Sequence, residues 1–189
     1  MIRISPYDER WPAEFDRLAD HLRGALGEAA RRIDHIGSTA VPSLAAKNVI
    51  DVQVTVASLS PAISERLERS GYRRCNVAGD HAPPTAASDP REWVKWLYVE
   101  PENARRANVH VRVAGRANQR YALLFRDYLR AHPEPAAAYA ELKRRLAASL
   151  ADPDTYPDVK DPAVDLIYFA AEAWAAETGW AVDGGGDAR

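Results

Sequence analysis

A glycine-serine turn followed by a carboxylate is the stretch of this sequence best suited to chemistry. Gly37 and Ser38 interrupt a short segment that is predicted to be a strand, Ile33–Ile36, and a helix-like turn over Val41–Ala46 is expected to follow. Glycine adopts main-chain angles closed to other residues, and the small Ser38 lets a ligand approach the backbone. The free N–H groups at the start of a helical turn attract anions. The sequence therefore predicts a phosphate site at Gly37 and Ser38.

The next predicted strand supplies a candidate metal ligand. Over Val49–Val56 apolar residues alternate with Asp51, Gln53 and Thr55, so these three side chains lie on one face. A polar strand face can simply be solvated. Here, however, the strand follows a phosphate-type turn and its first polar residue is a carboxylate. Proteins usually hold Mg²⁺ with a carboxylate beside bound phosphates, so the pattern favours a metal site at Asp51.

A later strand, Asn108–Val113, again has one apolar and one polar face. His110 lies on the polar face, and it would share a cleft with Asp51 if the two strands pair side by side. Taken alone, a single histidine on a strand is more often structural than functional. The strand is therefore a candidate wall of the site, and His110 is its candidate functional residue.

Positive charge is concentrated after Glu102. Between Glu102 and Asp127 the chain has no acidic residue but six arginines, including Arg112. Such a block can be merely solvated. Guanidinium groups also match phosphate oxygens in geometry, so the segment is either a solvated block or a surface that faces phosphate.

Helical periodicity predicts the elements around these candidates. Three regions carry apolar residues at helical spacing: Pro12–Leu26, 116–151 with a break at His132 and Pro133, and Ala163–Thr178. A further helix is expected from Ser60 to Gly71, and further strands over Tyr72–Val77 and Trp93–Val99. The loop Ala78–Pro90, which contains His81, is long enough to be functional or mobile.

Length and composition set limits on the class of protein. The 189 residues, 47% of them hydrophobic, predict a single domain over residues 1–180 with a disordered tail over 181–189. A net charge of −2 does not favour a nucleic-acid or membrane partner. The one cysteine excludes an internal disulfide. The segment MIRISPYDER lacks the apolar region expected of a signal peptide, and no apolar run approaches membrane-spanning length. These features predict a cytoplasmic protein.

The spacing of the turn and the strand resembles that of the nucleotidyltransferase superfamily, in which Gly-Ser precedes a strand that begins Asp-x-Asp or Asp-x-Glu. Twelve residues, Thr39–Ile50, separate Ser38 from Asp51. More narrowly, HIGSTAVPSLAAK followed by VID resembles the GrpB family, also called UPF0157. The segments YDERWPAEFDRL, NVHVRV and RYALLFRDYLRAHPEPAAAYAELKRRLA follow that family's order.

The resemblance implies an α/β fold, a nucleotidyltransferase-like mixed sheet with flanking helices and a C-terminal helical portion. It implies a metal-dependent transfer of a nucleoside monophosphate from a nucleoside triphosphate (NTP) to an unknown small-molecule acceptor, by a monomer or a homodimer. The implied metal is Mg²⁺ or Mn²⁺, held by Asp51 and Gln53. The catalytic set is Asp51, Gln53 and His110, and the groups that hold the nucleotide are Gly37, Ser38, Lys47, Arg112 and Lys160.

The sequence departs from the superfamily pattern at Gln53, where the second acid is expected, and on the later strand, where His110 or Asn108 stands in place of the usual third carboxylate. An amide oxygen can coordinate a metal but brings no charge, and His110 would be a poor ligand for Mg²⁺, which prefers oxygen. An alternative hypothesis is therefore a catalytically weak or inactive nucleotide-binding module. Such a module would be related to the GrpB domain that is fused to dephospho-CoA kinase in some bacteria.

Overall fold

A computed structural model describes residues 2–84 and 86–182, and within them one mixed sheet of five strands carries the fold. The strands are β1 (Arg32–Ile36), β2 (Ile50–Val56), β3 (Arg73–Arg74), β4 (Trp96–Val99) and β5 (Ala107–Val113). Their order across the sheet is β1-β2-β5-β4-β3. Strands β2 and β5 are parallel, whereas the other neighbouring pairs are antiparallel. The mixed α/β architecture predicted from the sequence is confirmed.

The helices lie on two sides of this sheet. They are α1 (Trp11–Leu26), α2 (Pro61–Arg69), α3 (Ala117–Ala131), α4 (Pro133–Ser149) and α5 (Tyr156–Thr178). Helices α1 and α2 cover the apolar face, where the valines of β2 and Ile33 are fully buried. Helix α3 contacts β1 and β5, and it packs with α4 and α5 around a second apolar cluster. In the described part of the chain, no helix has the length and apolar character that a membrane crossing requires.

The face of the sheet under α3 is polar and nevertheless buried. Asp34, Gln53 and Arg112 are each at most 4% exposed on this face. Burying charged and amide groups is costly unless they are hydrogen-bonded. The sheet therefore has an apolar face that supplies core stability and a polar face whose side chains are tied into specific contacts.

The structure corrects several boundaries. The last helix begins at Tyr156 rather than Ala163, because Pro157 lies in its first turn, where proline is tolerated. The helix then continues through Pro162. Trp93 belongs to a 3₁₀ turn capped by Asp89, so β4 starts only at Trp96.

Two further expectations change. Of the strand predicted over Tyr72–Val77, only Arg73 and Arg74 pair with a neighbour. The segment Val41–Ala46 is not helical, and the helical turn instead covers Ser38–Ala40. Within the predicted tail over 181–189, residues 183–189 lie outside the described residues.

Candidate active site

The glycine-serine turn lies directly beside the carboxylate of Asp51. Gly37 has φ +69° and ψ −169°, a conformation that L side chains rarely adopt. A Cβ atom at this position would lie 2.5 Å from Oδ2 of Asp51. Glycine is therefore required at position 37 for two reasons. Its backbone angles favour glycine, and Asp51 leaves no room for a side chain.

Side chains from the sheet and from the C-terminal helices fix this turn. The ammonium group of Lys143 on α4 donates to Oγ of Ser38 (2.8 Å) and to the carbonyl of Ala45 (2.6 Å). Nε2 of His35 on β1 lies 3.0 Å from Oγ1 of Thr39, and both side chains are buried. The position of the turn is thus set by α4 as well as by β1.

The carboxylate of Asp51 is held by two residues of β5. Nδ2 of Asn108 donates to Oδ1 of Asp51 over 2.8 Å, and Nε2 of His110 lies 3.6 Å from the same oxygen. Burial favours the neutral acid, but the contacts with His110 and Asn108 outweigh it and leave the pKa of Asp51 below its ordinary value. Asp51 is therefore a carboxylate at neutral pH, with Oδ2 beside the glycine turn.

The imidazole of His110 has different neighbours on its two nitrogens. Nδ1 faces the ammonium of Lys95 at 3.3 Å and the guanidinium of Arg112 at 3.4 Å. Because both of these groups are donors only, we assign the proton of the neutral ring to Nε2, which points at Asp51. Burial lowers the pKa of His110, and the positive charges of Arg112 and Lys95 lower it further against the opposing effect of Asp51. The residue therefore presents a neutral N–H donor to the site.

A cavity of about 330 Å³ opens above Asp51. Its lining contains three lysines, and the aromatic side chains of Tyr121, Phe125, Tyr139 and Tyr156 form much of the remaining wall. Asp51 is the one carboxylate among the described lining residues. The three lysines are Lys47, Lys143 and Lys160.

Burial lowers the pKa values of all three lysines, and the charge of Lys160 lowers those of Lys143 and Lys47 further. Burial, followed by the charges of Lys160 and Arg144, lowers the pKa of Lys143 to about 7. Burial is also the largest cause that lowers the pKa values of Lys47 and Lys160. Nζ of Lys47 lies 4.0 Å from the centre of the Tyr156 ring. Like charges gathered over one carboxylate favour an anionic ligand, which would relieve their repulsion.

The structure brings together most of the predicted site residues but leaves two of them outside the cavity. Gly37, Ser38, Lys47, Asp51, His110 and Lys160 all line it. Gln53 instead lies in the buried layer, where its carbonyl oxygen accepts from Nη1 of Arg112 (2.7 Å) and its amide donates to the carbonyl of Gln119 (3.1 Å). Arg112 is 4% exposed and also donates to Asp80 at 2.8 and 2.9 Å.

These contacts decide how many metal ions the residues fit. No group of three or more His, Cys, Asp or Glu side chains in the described ranges could hold a metal ion. The one ligand atom of Gln53 faces a guanidinium, so we leave Gln53 out of the metal site. Mg²⁺ is commonly bound by one or two carboxylates together with phosphates. The site therefore fits one Mg²⁺ shared between Asp51 and a ligand, and it does not fit a two-metal arrangement.

Sequence reasoning missed Lys143 in the cavity, and Asp80 and Lys95 in the buried layer beside it. Lys143 left a signal, since it stands four residues after Tyr139 on the apolar face of its helix. Asn108, one pleat before His110 on the polar face of β5, was the alternative to His110 on this strand. Asp80 and Lys95 left no local signal. Asp80 comes from the long loop, whose His81 lies 3.0 Å from Asp165 on α5.

The sheet, the glycine-serine turn and the carboxylate on the adjacent strand are the elements of a nucleotidyltransferase-like fold. A solved structure of Cid1 in complex with its short product ApU has this architecture. It matches 76% of this chain and 42% of its own with a TM-score of 0.50 at 17% sequence identity. At this identity the similarity concerns the fold alone.

The chain belongs to the GrpB family, because residues 1–169 match the family described as GrpB protein. The crystal structure of the conserved protein GrpB from Enterococcus faecalis aligns with a TM-score of 0.74 and 28% identity. The alignment covers 91% of this chain and 99% of that one. A UPF0157 protein of Deinococcus radiodurans is 38% identical over 174 residues, which are 92% of this chain and 84% of that protein.

A dephospho-CoA kinase of Mycolicibacterium paratuberculosis is 40% identical over 195 residues. That alignment covers 95% of this chain but 48% of the kinase. The chain thus spans about half the length of the first curated relatives it matches.

Proposed function

We propose that the protein is a nucleotidyltransferase that binds an NTP with one divalent cation and transfers the nucleoside monophosphate to a small-molecule acceptor. One observation carries the proposal. Oδ2 of Asp51 lies against Gly37, at the base of a cavity that is lined by three lysines and contains no second carboxylate among its described residues.

Different residues of the cavity would contact the triphosphate and compensate its charge. The backbone at Gly37 and the hydroxyl of Ser38 would approach the β- and γ-phosphates closely. The ammonium groups of Lys47 and Lys160, which make no hydrogen bond or ion pair within the described ranges, would offset their charge. Lys143 holds Ser38 and adds a charge of its own. Positioning and electrostatic stabilisation supply most of the catalysis of phosphoryl transfer.

Asp51 is the residue that would hold the cation, and the bound ion would neutralise phosphate charge that the lysines leave over. His110 would donate its Nε2–H to Asp51 or to a phosphate oxygen. In the transfer itself, the acceptor's hydroxyl oxygen forms a bond to the α-phosphorus and the bond to the bridging oxygen breaks. Pyrophosphate leaves, and the hydroxyl proton passes to water.

Replacing Asp51 tests this proposal most directly. We expect Asp51→Asn to abolish Mg²⁺- or Mn²⁺-dependent binding of NTPs, because the amide removes the cavity's negative charge. Isothermal titration of the four NTPs, with and without the cation, measures the effect. Asp20→Asn, at an exposed position on α1, is the control and should bind as the wild type does. Equal cation-dependent binding by Asp51→Asn would refute the proposed site.

The contact between Arg112 and Gln53 supports a second candidate, a nucleotide-binding module without turnover. With no second acid available, the site lacks half of the charge that a two-metal centre uses. Relatives named dephospho-CoA kinase contain a matching region within a chain about twice as long, which suits an accessory role. Pyrophosphate release separates the two candidates. A protein that binds NTPs but releases no pyrophosphate with any acceptor of a broad panel would be the module.

A further inference from the structure

A second concave region adjoins the cavity above Asp51. This groove has a volume of about 660 Å³ and shares Lys47 and Val49 with the cavity. The N-terminal segment forms its outer wall, since Ser5 pairs with Ala46 through hydrogen bonds of 2.8 and 3.0 Å. Val49 stands two residues before Asp51, so the groove ends next to the carboxylate of the proposed site.

The groove is positively charged. Arg3 and Arg106 line it, both are exposed, and neither guanidinium group makes a hydrogen bond or an ion pair with another described residue. Asp8 also lines the groove, but its carboxylate is bound by Arg10 at 2.6 to 3.1 Å, and these hydrogen bonds lower its pKa to about 2. With Lys47, the groove offers three cations whose charge no neighbouring carboxylate at its wall cancels.

We propose that this groove binds the acceptor of the transfer reaction, and that the acceptor is a small molecule carrying a phosphate group. This inference rests on the proposed function and deepens it. A phosphate bound by Arg3 and Arg106 would leave the other end of the molecule near Lys47, at the entrance to the cavity. There its hydroxyl oxygen would bond to the α-phosphorus while the bond to the leaving pyrophosphate breaks, and the hydroxyl proton would pass to water.

The dimensions and lining of the groove favour a small molecule over a nucleic acid. Sites for small molecules have volumes of about 300–1,000 Å³, which includes this one. Single-stranded nucleic acids are commonly bound on exposed aromatic faces. The aromatic residue of the groove is Trp11, which is 1% exposed and whose Nε1 donates to Asn48 over 2.9 Å. It offers no face on which a base could stack.

Ribose 5-phosphate, which has both a phosphate and hydroxyl groups, is a suitable probe, and ribose is its uncharged control. In amide NMR spectra of the full chain, we expect ribose 5-phosphate to cause saturable shifts at Ser5, Asn48 and Arg106, and ribose to cause none. Arg106→Gln should weaken binding about three- to fivefold, as for an exposed ion pair. The double variant Arg3→Gln/Arg106→Gln should weaken it further.

Two controls separate this site from the rest of the surface and from catalysis. Arg69→Gln removes an exposed arginine that lines neither cavity and should leave binding unchanged. Binding of ribose 5-phosphate is measured on the wild type without NTP or cation, whereas the proposed function is tested by cation-dependent NTP binding in Asp51→Asn, so the groove and the proposed function can fail independently.

Any one of three results would overturn the inference. The first is the same response to ribose and to ribose 5-phosphate, and the second is an undiminished response in the double variant. The third is a single-stranded RNA oligonucleotide that binds through Arg3 and Arg106 when ribose 5-phosphate does not, since the groove would then serve a nucleic acid.

Discussion

Asp51 and Gln53 stand two residues apart on the same face of β2, yet they belong to different regions of the molecule. Asp51 opens into a cavity lined by lysines, and the glycine turn touches one of its oxygens. Gln53 is fully buried, with its oxygen and its nitrogen both occupied by protein groups. One step along the strand thus separates a site that is open to a ligand from a layer that is closed by internal contacts.

The buried layer is organised around a carboxylate that the loop supplies. Asp80 accepts from Lys95 at 2.6 Å, from Arg112 at 2.8 and 2.9 Å, and from Asn118 at 3.1 Å. Burial raises the pKa of Asp80, but the charges and hydrogen bonds of its partners, above all Arg112, outweigh burial. They hold the pKa of Asp80 far below its ordinary value. The charged groups of this layer are paired with one another, whereas the charged groups around Asp51 remain available to a ligand. The comparison teaches that the polar face of one sheet can serve both purposes.

The largest expected effect comes from breaking the closed layer at Asp80. Asp80→Asn leaves the cations of Lys95 and Arg112 buried without a counter-charge, and loss of one partner from a buried pair costs about 3–5 kcal/mol of the free energy of unfolding. Urea denaturation measures this loss. Asp89→Asn in the same loop breaks the exposed pair with Arg91 and should cost about 0–1 kcal/mol. Equal losses in the two variants would show that the layer is not closed as described.

An intermediate effect is expected from breaking the open site at Gly37. In Gly37→Ala the new Cβ would displace the carboxylate of Asp51, and the backbone would be strained by about 1–3 kcal/mol. Gly115 is the matched control, because it also has a positive φ of +79° but open space around its Cα. We expect both alanine variants to lose stability in thermal denaturation and only Gly37→Ala to lose NTP binding. Unimpaired binding by Gly37→Ala would mean that the turn does not contact the ligand.

The smallest expected effect is a pH dependence of NTP binding, which Lys143 in the open site should cause. Its pKa of about 7 lies below the ordinary lysine value, so above pH 7 the free protein must take up a proton to present this charge to an anion. The affinity for an NTP should therefore fall as the pH rises above 7, by at most about tenfold per pH unit. Calorimetric titrations between pH 7 and pH 8.5, in buffers of different ionisation enthalpy, measure both the slope and the proton uptake. Lys143→Met should bind more weakly and show no such slope, and an unchanged slope would contradict the assignment.

The sequence was sufficient to predict the mixed sheet, and it named the glycine turn, Asp51 and His110, which line one cavity. Alternation along β2 and β5 indicated which side chains share a face, and the observed parallel register places Asp51 beside Asn108 and Gln53 beside His110. The glycine turn was recognisable because its backbone requirement restricts the residue type. Local patterns of this kind are visible wherever the physical constraint acts on neighbouring residues.

The closed layer could not be predicted in the same way. Asp80 and Arg112 are 32 residues apart, and the hydrogen bond from Arg112 to Gln53 spans 59 positions. Nothing in the composition of a loop rich in glycine and proline indicates which of its acids turns inward. The metal assignment for Gln53 rested on its place in the strand, whereas the guanidinium that occupies its oxygen comes from tertiary packing.

Pro162 divides α5 into two unequal parts. The proline ring cannot donate to the carbonyl of Asp158, so the first turns of the helix are less firmly joined to the rest. These turns carry Tyr156 and Lys160, which line the cavity, and His81 contacts both parts of the helix, at Asp161 before the proline (3.9 Å) and at Asp165 after it (3.0 Å). The long loop thus joins the two parts of α5 through His81, at the point where the proline removes a backbone hydrogen bond.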